Sequence, residues 1–208
     1  MIETPSLVVL YGKRGVGKSH LLKYIIYNLA RAGKLNYGLV FSSTAFNDFY
    51  SWLPDGCVLS TFDEGRIEAL LEHQKRTGGR KSAFLILDDM IGSTRFDAPI
   101  WTRIATCGRH YNLTVFITVQ YIKKIPPVVR QNVDYAILFK QQSRTACEYL
   151  YDDYAFALTR EQFVDMVEKH TADFGTLVVN CKTASNDPAV VYRTLRAPKS
   201  LPNFRLQF

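Results

Sequence analysis

The chain has 208 residues, 47% of them hydrophobic and 22% charged, with a formal net charge of +7. That length and balance suit one folded domain with a sizeable core and exclude a largely disordered chain. The positive excess points towards a polyanionic partner.

The first element is the apolar run Leu7-Val-Val-Leu10, which reads as a strand. It leads into Gly12-Lys-Arg-Gly-Val-Gly-Lys-Ser19, which fits the phosphate-binding pattern G-x-x-x-x-G-K-[ST]. Gly12, Gly15 and Gly17 let successive backbone N–H groups converge on a phosphate chain, and Lys13, Arg14, Val16 and His20 complete the candidate nucleotide-binding segment. Lys18 can reach the terminal phosphates as a cation, and the Ser19 hydroxyl is a hard oxygen ligand suited to Mg²⁺. Leu22, Ile25, Ile26 and Leu29 recur at helical spacing, with Gly33 as a stop. Strand, glycine loop and helix are the context this motif needs.

Residues 37–43 read as a second strand, and the aromatic-rich stretch 45–53 as a short helix ending before Pro54. Cys57-Val-Leu-Ser60 suits a short strand, and Ile67, Leu70 and Leu71 mark an amphipathic helix ending near Gly78-Gly79. Ala83-Phe-Leu-Ile-Leu87 suits a central strand covered on both faces, with Asp88 and Asp89 at its C-terminal end. Ligands sit at that edge of open α/β sheets. Asp88 is the candidate metal carboxylate and Asp89 the candidate that orients the attacking water.

Asp97 is expected to cap a helix with Pro99 in its first turn, running to about Arg109-His110. Residues 113–120 form another buried strand, ending in Gln120, a polar group placed to sense a terminal phosphate. Lys123-Lys-Ile-Pro-Pro127 reads as a rigid basic loop, followed by a strand over 135–139 and a helix over 143–154. Thr159 and Gln162 form a capping-box signal for a further helix. Residues 174–180 and 189–193 read as two strands joined at Asn186-Asp-Pro188, a hairpin. The alternation predicts an α/β fold with a mostly parallel central sheet flanked by helices and a C-terminal antiparallel hairpin. The domain is expected over 1–196, with 197–208 an extended or flexible tail.

The four cysteines are widely spaced, which argues for reduced, mostly buried thiols rather than a zinc or disulfide framework. No apolar stretch is long enough to span a bilayer and the N-terminus lacks a signal-peptide pattern, so no membrane partner and an intracellular location are expected.

The order of motifs resembles the FtsK–HerA superfamily of DNA-pumping P-loop ATPases. The resemblance rests on the glycine loop, Leu85-Ile-Leu-Asp88-Asp89, residues 108–120 ending in Gln120, and Ile125-Pro-Pro-Val-Val-Arg130-Gln-Asn. Within the superfamily the chain is most similar to viral genome-packaging ATPases of the poxvirus, giant-virus and double-jelly-roll virus branch. The resemblance implies a RecA-like P-loop NTPase fold that uses ATP and Mg²⁺. It implies a homo-oligomeric ring moving double-stranded DNA, independent of sequence, into a preformed capsid through capsid or portal vertex proteins. The place of action it implies is the host cytoplasm or nucleus, or transiently the virion vertex. It also implies an arginine finger acting on a neighbouring subunit, for which Arg109, Arg130 and Arg144 are the candidates. Many superfamily members carry Asp-Glu where this chain has Asp88-Asp89, so the base role of Asp89 needs a closer approach to water. Lys123 and Lys124 are candidate DNA contacts, and Lys75, Arg76, Arg80 and Lys81 form a second basic cluster.

Three other readings exist. Asp89-Met-Ile-Gly92 matches the D-x-x-G of GTPases, without an N-K-x-D segment to read guanine. A small-molecule kinase on the same loop would need an arginine-rich lid, which is not evident. A cellular DNA pump of the same superfamily shares the motifs.

Overall fold

The computed structural model describes residues 2–207 apart from Ile91, Ser93, Arg95 and Ala157. Ile91 of the D-x-x-G match and Phe208 of the tail therefore lie outside the described residues. Among the described residues eight strands make one sheet: β1 (Leu7–Tyr11), β2 (Tyr37–Ser42), β3 (Val58–Leu59), β4 (Ala83–Asp88), β5 (Leu113–Val119), β6 (Tyr135–Leu138), β7 (Thr176–Asn180) and β8 (Tyr192–Leu195). Their spatial order is β3-β2-β4-β5-β1-β6-β7-β8. The first six strands run parallel, so their C-terminal ends share one edge, whereas β7 and β8 are antiparallel additions. The helices are α1 (Lys18–Arg31), α2 (Glu64–Arg76), α3 (Pro99–Cys107), α4 (Pro127–Arg130), α5 (Arg144–Tyr154), α6 (Arg160–His170) and α7 (Pro188–Val191).

Side-chain alternation along the central strands divides the core into two layers. Leu7, Val9 and Tyr11 of β1 join Leu85, Leu87, Val115 and Ile117 under α2, α3, α5 and α6. Val8 and Leu10 point the other way, with Phe84, Ile86 and Phe116, under α1. β4 and β5 are buried along their whole length because each has a strand on both sides and a layer on both faces. Fully burying a Leu, Ile or Phe side chain is worth about 1.5–3 kcal/mol, so these two layers supply the main driving force for the fold.

Local chemistry sets the helix ends. Thr159 and Gln162 form the expected capping box at α6, and Ser143 caps α5 by accepting from Ala146 N–H. Gly33, just after α1, takes a φ of 68° and closes that helix.

Several elements differ from expectation. The 45–53 stretch holds a three-residue 3₁₀ turn, Ala45–Asn47, followed by turns rather than a helix, with Asp48 left-handed at φ 55°. The cap position of α3 is Ala98, without a side-chain hydrogen bond, not Asp97. The run Ala189-Val-Val191 is a helical turn because Asp187 caps it and Pro188 presets its first φ, so β8 starts only at Tyr192. The hairpin is present, with a longer connection. Of the four free cysteines only Cys147 is fully buried. Residues 197–207 have no regular secondary structure and run along the chain's own α1 face, where Phe204 packs between Tyr27 and Trp52 and Leu206 N–H bonds Trp52 carbonyl. Among the described residues no helix is long and apolar enough to cross a membrane.

Candidate functional site

The glycine loop leaves β1 at the C-terminal edge of the sheet and enters α1 at Lys18. Gly15 and Gly17 hold φ values of 83° and 95°, a region that only glycine adopts without strain, and Gly17 is the residue that caps α1. The first N–H groups of α1 therefore face the loop rather than a side-chain cap, an arrangement suited to an anion.

Lys18 folds back over the loop. Its Nζ donates to the carbonyls of Gly12 at 2.7 Å and Lys13 at 2.9 Å. Burial lowers its pKa, and the charges of Asp89 and Asp88 act against that shift. The ammonium is thus partly desolvated, which strengthens any contact it makes with a phosphate.

Asp88 ends β4 two strands from β1, yet its carboxylate is joined to the loop. Ser19 Oγ donates to Asp88 Oδ2 at 2.8 Å, Tyr50 OH donates to the same oxygen at 2.6 Å, and Thr118 Oγ1 donates to Oδ1 at 2.7 Å. Three hydroxyls from three separate elements therefore fix one carboxylate. Burial, and then the Asp88 charge, push the Tyr50 phenol well above its ordinary pKa, so it stays a donor. Tyr50 and Thr118 carry no motif signal. The aromatic run around residue 50 and the threonine two before Gln120 were their only traces in the sequence.

Asp89 follows in a left-handed conformation, φ 53°, which turns it out of the strand direction. Its N–H is received by Thr118 Oγ1 at 2.9 Å, and its Oδ1 accepts from Gln120 Nε2 at 2.9 Å. Since β5 lies between β4 and β1, Gln120 emerges between the acid pair and the glycine loop. The structure thus brings together Gly12 to Ser19, Asp88, Asp89 and Gln120.

Mg²⁺ fits this donor set. Ser19 and Asp88 supply adjacent hard oxygens, and the ion takes one or two carboxylates plus phosphates and water rather than an all-protein cage. Consistently, among the described residues no cluster of three or more His, Cys, Asp or Glu is placed to hold a metal by itself.

The remaining sequence candidates are dispersed. Lys13 Nζ donates to Gln142 Oε1, and Arg14 is exposed on the loop. His20 Nε2 lies 2.8 Å from the Pro198 carbonyl and ties the tail to the start of α1. Arg109 precedes β5, at the edge opposite the glycine loop, and pairs at 2.9 Å with Asp134, which is only 3% exposed and also accepts from Leu7 N–H. Arg130 lies in the β5–β6 crossover, paired with Asp153 at 3.0 Å and donating to the Ile125 carbonyl. Arg144 opens α5, 68% exposed, with only a 3.7 Å contact to Glu148. Lys123 and Lys124 sit in a 3₁₀ turn after β5, and Lys123 Nζ stands 3.7 Å from the Tyr149 ring centre. Lys75, Arg76, Arg80 and Lys81 precede β4 and so lie at the opposite edge.

Known proteins are similar to this chain in sequence and in architecture. The family described as Poxvirus A32 protein matches residues 1–173. Uncharacterized protein 075L of Invertebrate iridescent virus 6 is 28% identical over 189 residues, covering 87% of this chain and 72% of that protein. Uncharacterized protein L437 of Acanthamoeba polyphaga mimivirus is 31% identical over 171 residues, covering 74% of this chain and 59% of that protein. The genome packaging NTPase B204 from Sulfolobus turreted icosahedral virus 2, solved with AMPPCP, superposes with a TM-score of 0.66 at 18% identity, over 93% of this chain and 98% of that one. The pCW3 conjugation coupling protein TcpA, solved with ATPgS, superposes with a TM-score of 0.63 at 15% identity, over 86% of this chain and 58% of that one. At these identities the two structures share the fold.

Proposed function

The chain belongs to the poxvirus A32 protein family, and from that premise we propose that it is an ATP-hydrolysing motor that drives double-stranded viral DNA into a preformed capsid. The observation that carries the reading is the hydrogen-bonded line from Ser19 of the glycine loop through Asp88 and Thr118 to Asp89 and Gln120, along the C-terminal edge of the sheet. A packaging NTPase and a conjugation protein both share the fold, so fold alone does not choose between a viral and a cellular pump. The family match favours the viral one.

In the proposed mechanism the loop N–H groups and the α1 N-terminus hold the phosphates. Lys18 exchanges the Gly12 and Lys13 carbonyls for phosphate oxygens. Ser19 and Asp88 would hold Mg²⁺, which would supply positive charge against that developing on the phosphates. Asp89 orients the attacking water and receives its proton. Gln120, bonded to Asp89, exchanges that bond for one to the terminal phosphate and reports its presence along β5. Arg144 is the favoured finger towards a neighbouring subunit in a homo-oligomeric ring, because Arg109 and Arg130 hold carboxylates of this chain at 2.9 and 3.0 Å, whereas Arg144 is 68% exposed and stands 3.7 Å from Glu148. Lys123 and Lys124 are proposed to meet DNA phosphates at the same edge. Residues 1–196 form the motor domain in this reading, and residues 197–208 its tail. Action in the host cytoplasm or nucleus, or at the virion vertex with capsid or portal proteins, belongs to the same proposal.

The test is ATP turnover by the purified protein with and without duplex DNA, beside Lys18→Ala. Stimulation by duplex of any sequence, falling as salt rises, and turnover reduced at least ~100-fold in the variant are expected. Full activity in Lys18→Ala overturns the site, and indifference to DNA together with transfer of phosphate to a small acceptor favours a kinase.

A further inference from the structure

Phe174 is 71% exposed, although phenylalanine is normally buried, and it stands against the glycine loop. A Cβ placed on Gly17 would lie 3.7 Å from Phe174 Cδ1. The ring is held there by unusual backbone. Asp173 and Phe174 have φ values of 48° and 61°, a left-handed conformation that L residues adopt only under strain. The next residue is glycine because a Cβ at 175 would come within 2.5 Å of the His170 carbonyl. Strain is thus spent on presenting an aromatic face to the solvent beside the loop.

Beside that ring is a cavity of about 360 Å³, within the size range of small-molecule sites. It is continuous with the loop through Val16, Gly17 and His20, and Phe139 forms part of its apolar floor. Arg196 at the end of the domain and Ala197 to Lys199 of the tail supply further lining, held to α1 by the bond between His20 and the Pro198 carbonyl. Further along, Phe204 anchors the tail, with its ring centre 5.0 Å from that of Tyr27 and 5.1 Å from that of Trp52. The polar side chains lining the cavity are Arg196, Lys199 and His20, the last tied to the Pro198 carbonyl, and among the described lining residues no carboxylate or amide side chain is present to pair with the donors on a base edge.

We infer that this cavity is the base subsite of the nucleotide: the base of a nucleoside triphosphate stacks on Phe174, the tail segment 196–199 closes around it, and base identity is read weakly. The inference rests on the proposed role of the glycine loop as the triphosphate site. Stacking on an aromatic face is tolerant of base identity, so ATP and GTP bind with affinities within about tenfold of each other. The tail in this reading is part of the nucleotide site.

The test compares binding of ATP, GTP and inorganic tripolyphosphate, each with Mg²⁺, to the full chain and to Phe174→Ala and Phe174→Tyr. Phe174→Ala is expected to weaken ATP and GTP about tenfold alike, to leave tripolyphosphate unchanged, and to be rescued by Phe174→Tyr. Unchanged ATP affinity in Phe174→Ala overturns the subsite, including where that variant instead loses self-association. An equal loss for tripolyphosphate also overturns it, because the effect then lies in the loop. If the full chain binds tripolyphosphate as tightly as ATP, the subsite fails while the triphosphate site stands. If it binds neither, the triphosphate site itself fails.

Discussion

Gln120 Nε2 and Asp89 Oδ1 lie 2.9 Å apart, joining the ends of the neighbouring strands β5 and β4 above the sheet. The amide donates one N–H to this carboxylate, and in the proposed cycle it turns from it to a terminal phosphate. Gln120→Ala frees Asp89 and removes the sensor together. Nucleotide affinity should remain within about threefold while turnover falls roughly 100-fold, the scale of losing one oriented donor in the transition state. Equilibrium binding beside single-turnover hydrolysis measures both quantities. A matched loss in both would assign Gln120 to ground-state binding instead.

Tyr50 is the least expected member of the site. Its hydroxyl is one of three that fix Asp88, and it is 4% exposed. Tyr50→Phe removes one buried hydrogen bond to a charged acceptor, worth about 1.5–3 kcal/mol. The melting temperature should fall by about 3–12 °C at this chain length. Asp88 also gains freedom, so the Mg²⁺ concentration needed for half-maximal turnover should rise. Calorimetry and a Mg²⁺ titration of the rate check the two effects, and an unchanged Mg²⁺ dependence would leave Tyr50 with a purely structural part.

Arg109 and Arg144 should separate cleanly. Arg109→Ala leaves the buried Asp134 with one partner fewer, and destabilisation of about 1–3 kcal/mol is expected. Arg144→Ala lies on an exposed helix start and should change stability by less than about 0.5 kcal/mol. If Arg144 is the trans finger, its variant loses turnover alone and regains part of it when mixed with Lys18→Ala subunits. Thermal melts and mixed-assembly assays read the two arms. Complementation by Arg109→Ala would move the finger to the other edge.

Alkaline pH should unfold the protein early. Tyr11 and Tyr154 share a buried 2.6 Å hydrogen bond, and burial is the main cause raising both phenols above their ordinary value of 10.0. Burial likewise pushes the Cys181 thiol from 9.0 to about 12. All three folded values exceed the unfolded ones. Their contribution is therefore complete below about pH 9 and is lost as the pH climbs, at about 1.4 kcal/mol per pH unit for each group, because only the unfolded chain releases its protons. Denaturant midpoints from pH 8 to 11 should fall steeply, and less steeply in Tyr154→Phe.

Much of the fold could be read along the chain because its signals are local. The glycine loop between an apolar run and a 3.6-residue period, the apolar strand before Asp88, and the Thr159–Gln162 box each depend on residues a few positions apart. The site was legible only where a motif marked it. Tyr50 reaches Asp88 across 38 residues of sequence through irregular turns, and nothing in its neighbours signals that reach. Val190 and Val191 favour a strand by type, yet Asp187 and Pro188 impose a helical turn first. Arg109 stands beside a matched segment, but its place at the far edge follows from strand direction, which no local pattern contains. Phe174 read as the start of a strand, whereas its left-handed backbone turns it out beside the loop.

The chain has two tryptophans, and the sheet separates them. Trp101 is sealed in the layer beneath α3, away from the tail. Trp52 lies in the other layer, with the ring of Tyr50 at 5.8 Å on one side and Phe204 of the tail at 5.1 Å on the other. One indole therefore touches both Tyr50, which bonds the Asp88 carboxylate, and Phe204, which anchors the tail. In optical terms the protein carries its own probe and its own reference: departure of the tail strips Trp52 of its cover and reddens its emission, while Trp101 keeps a constant background.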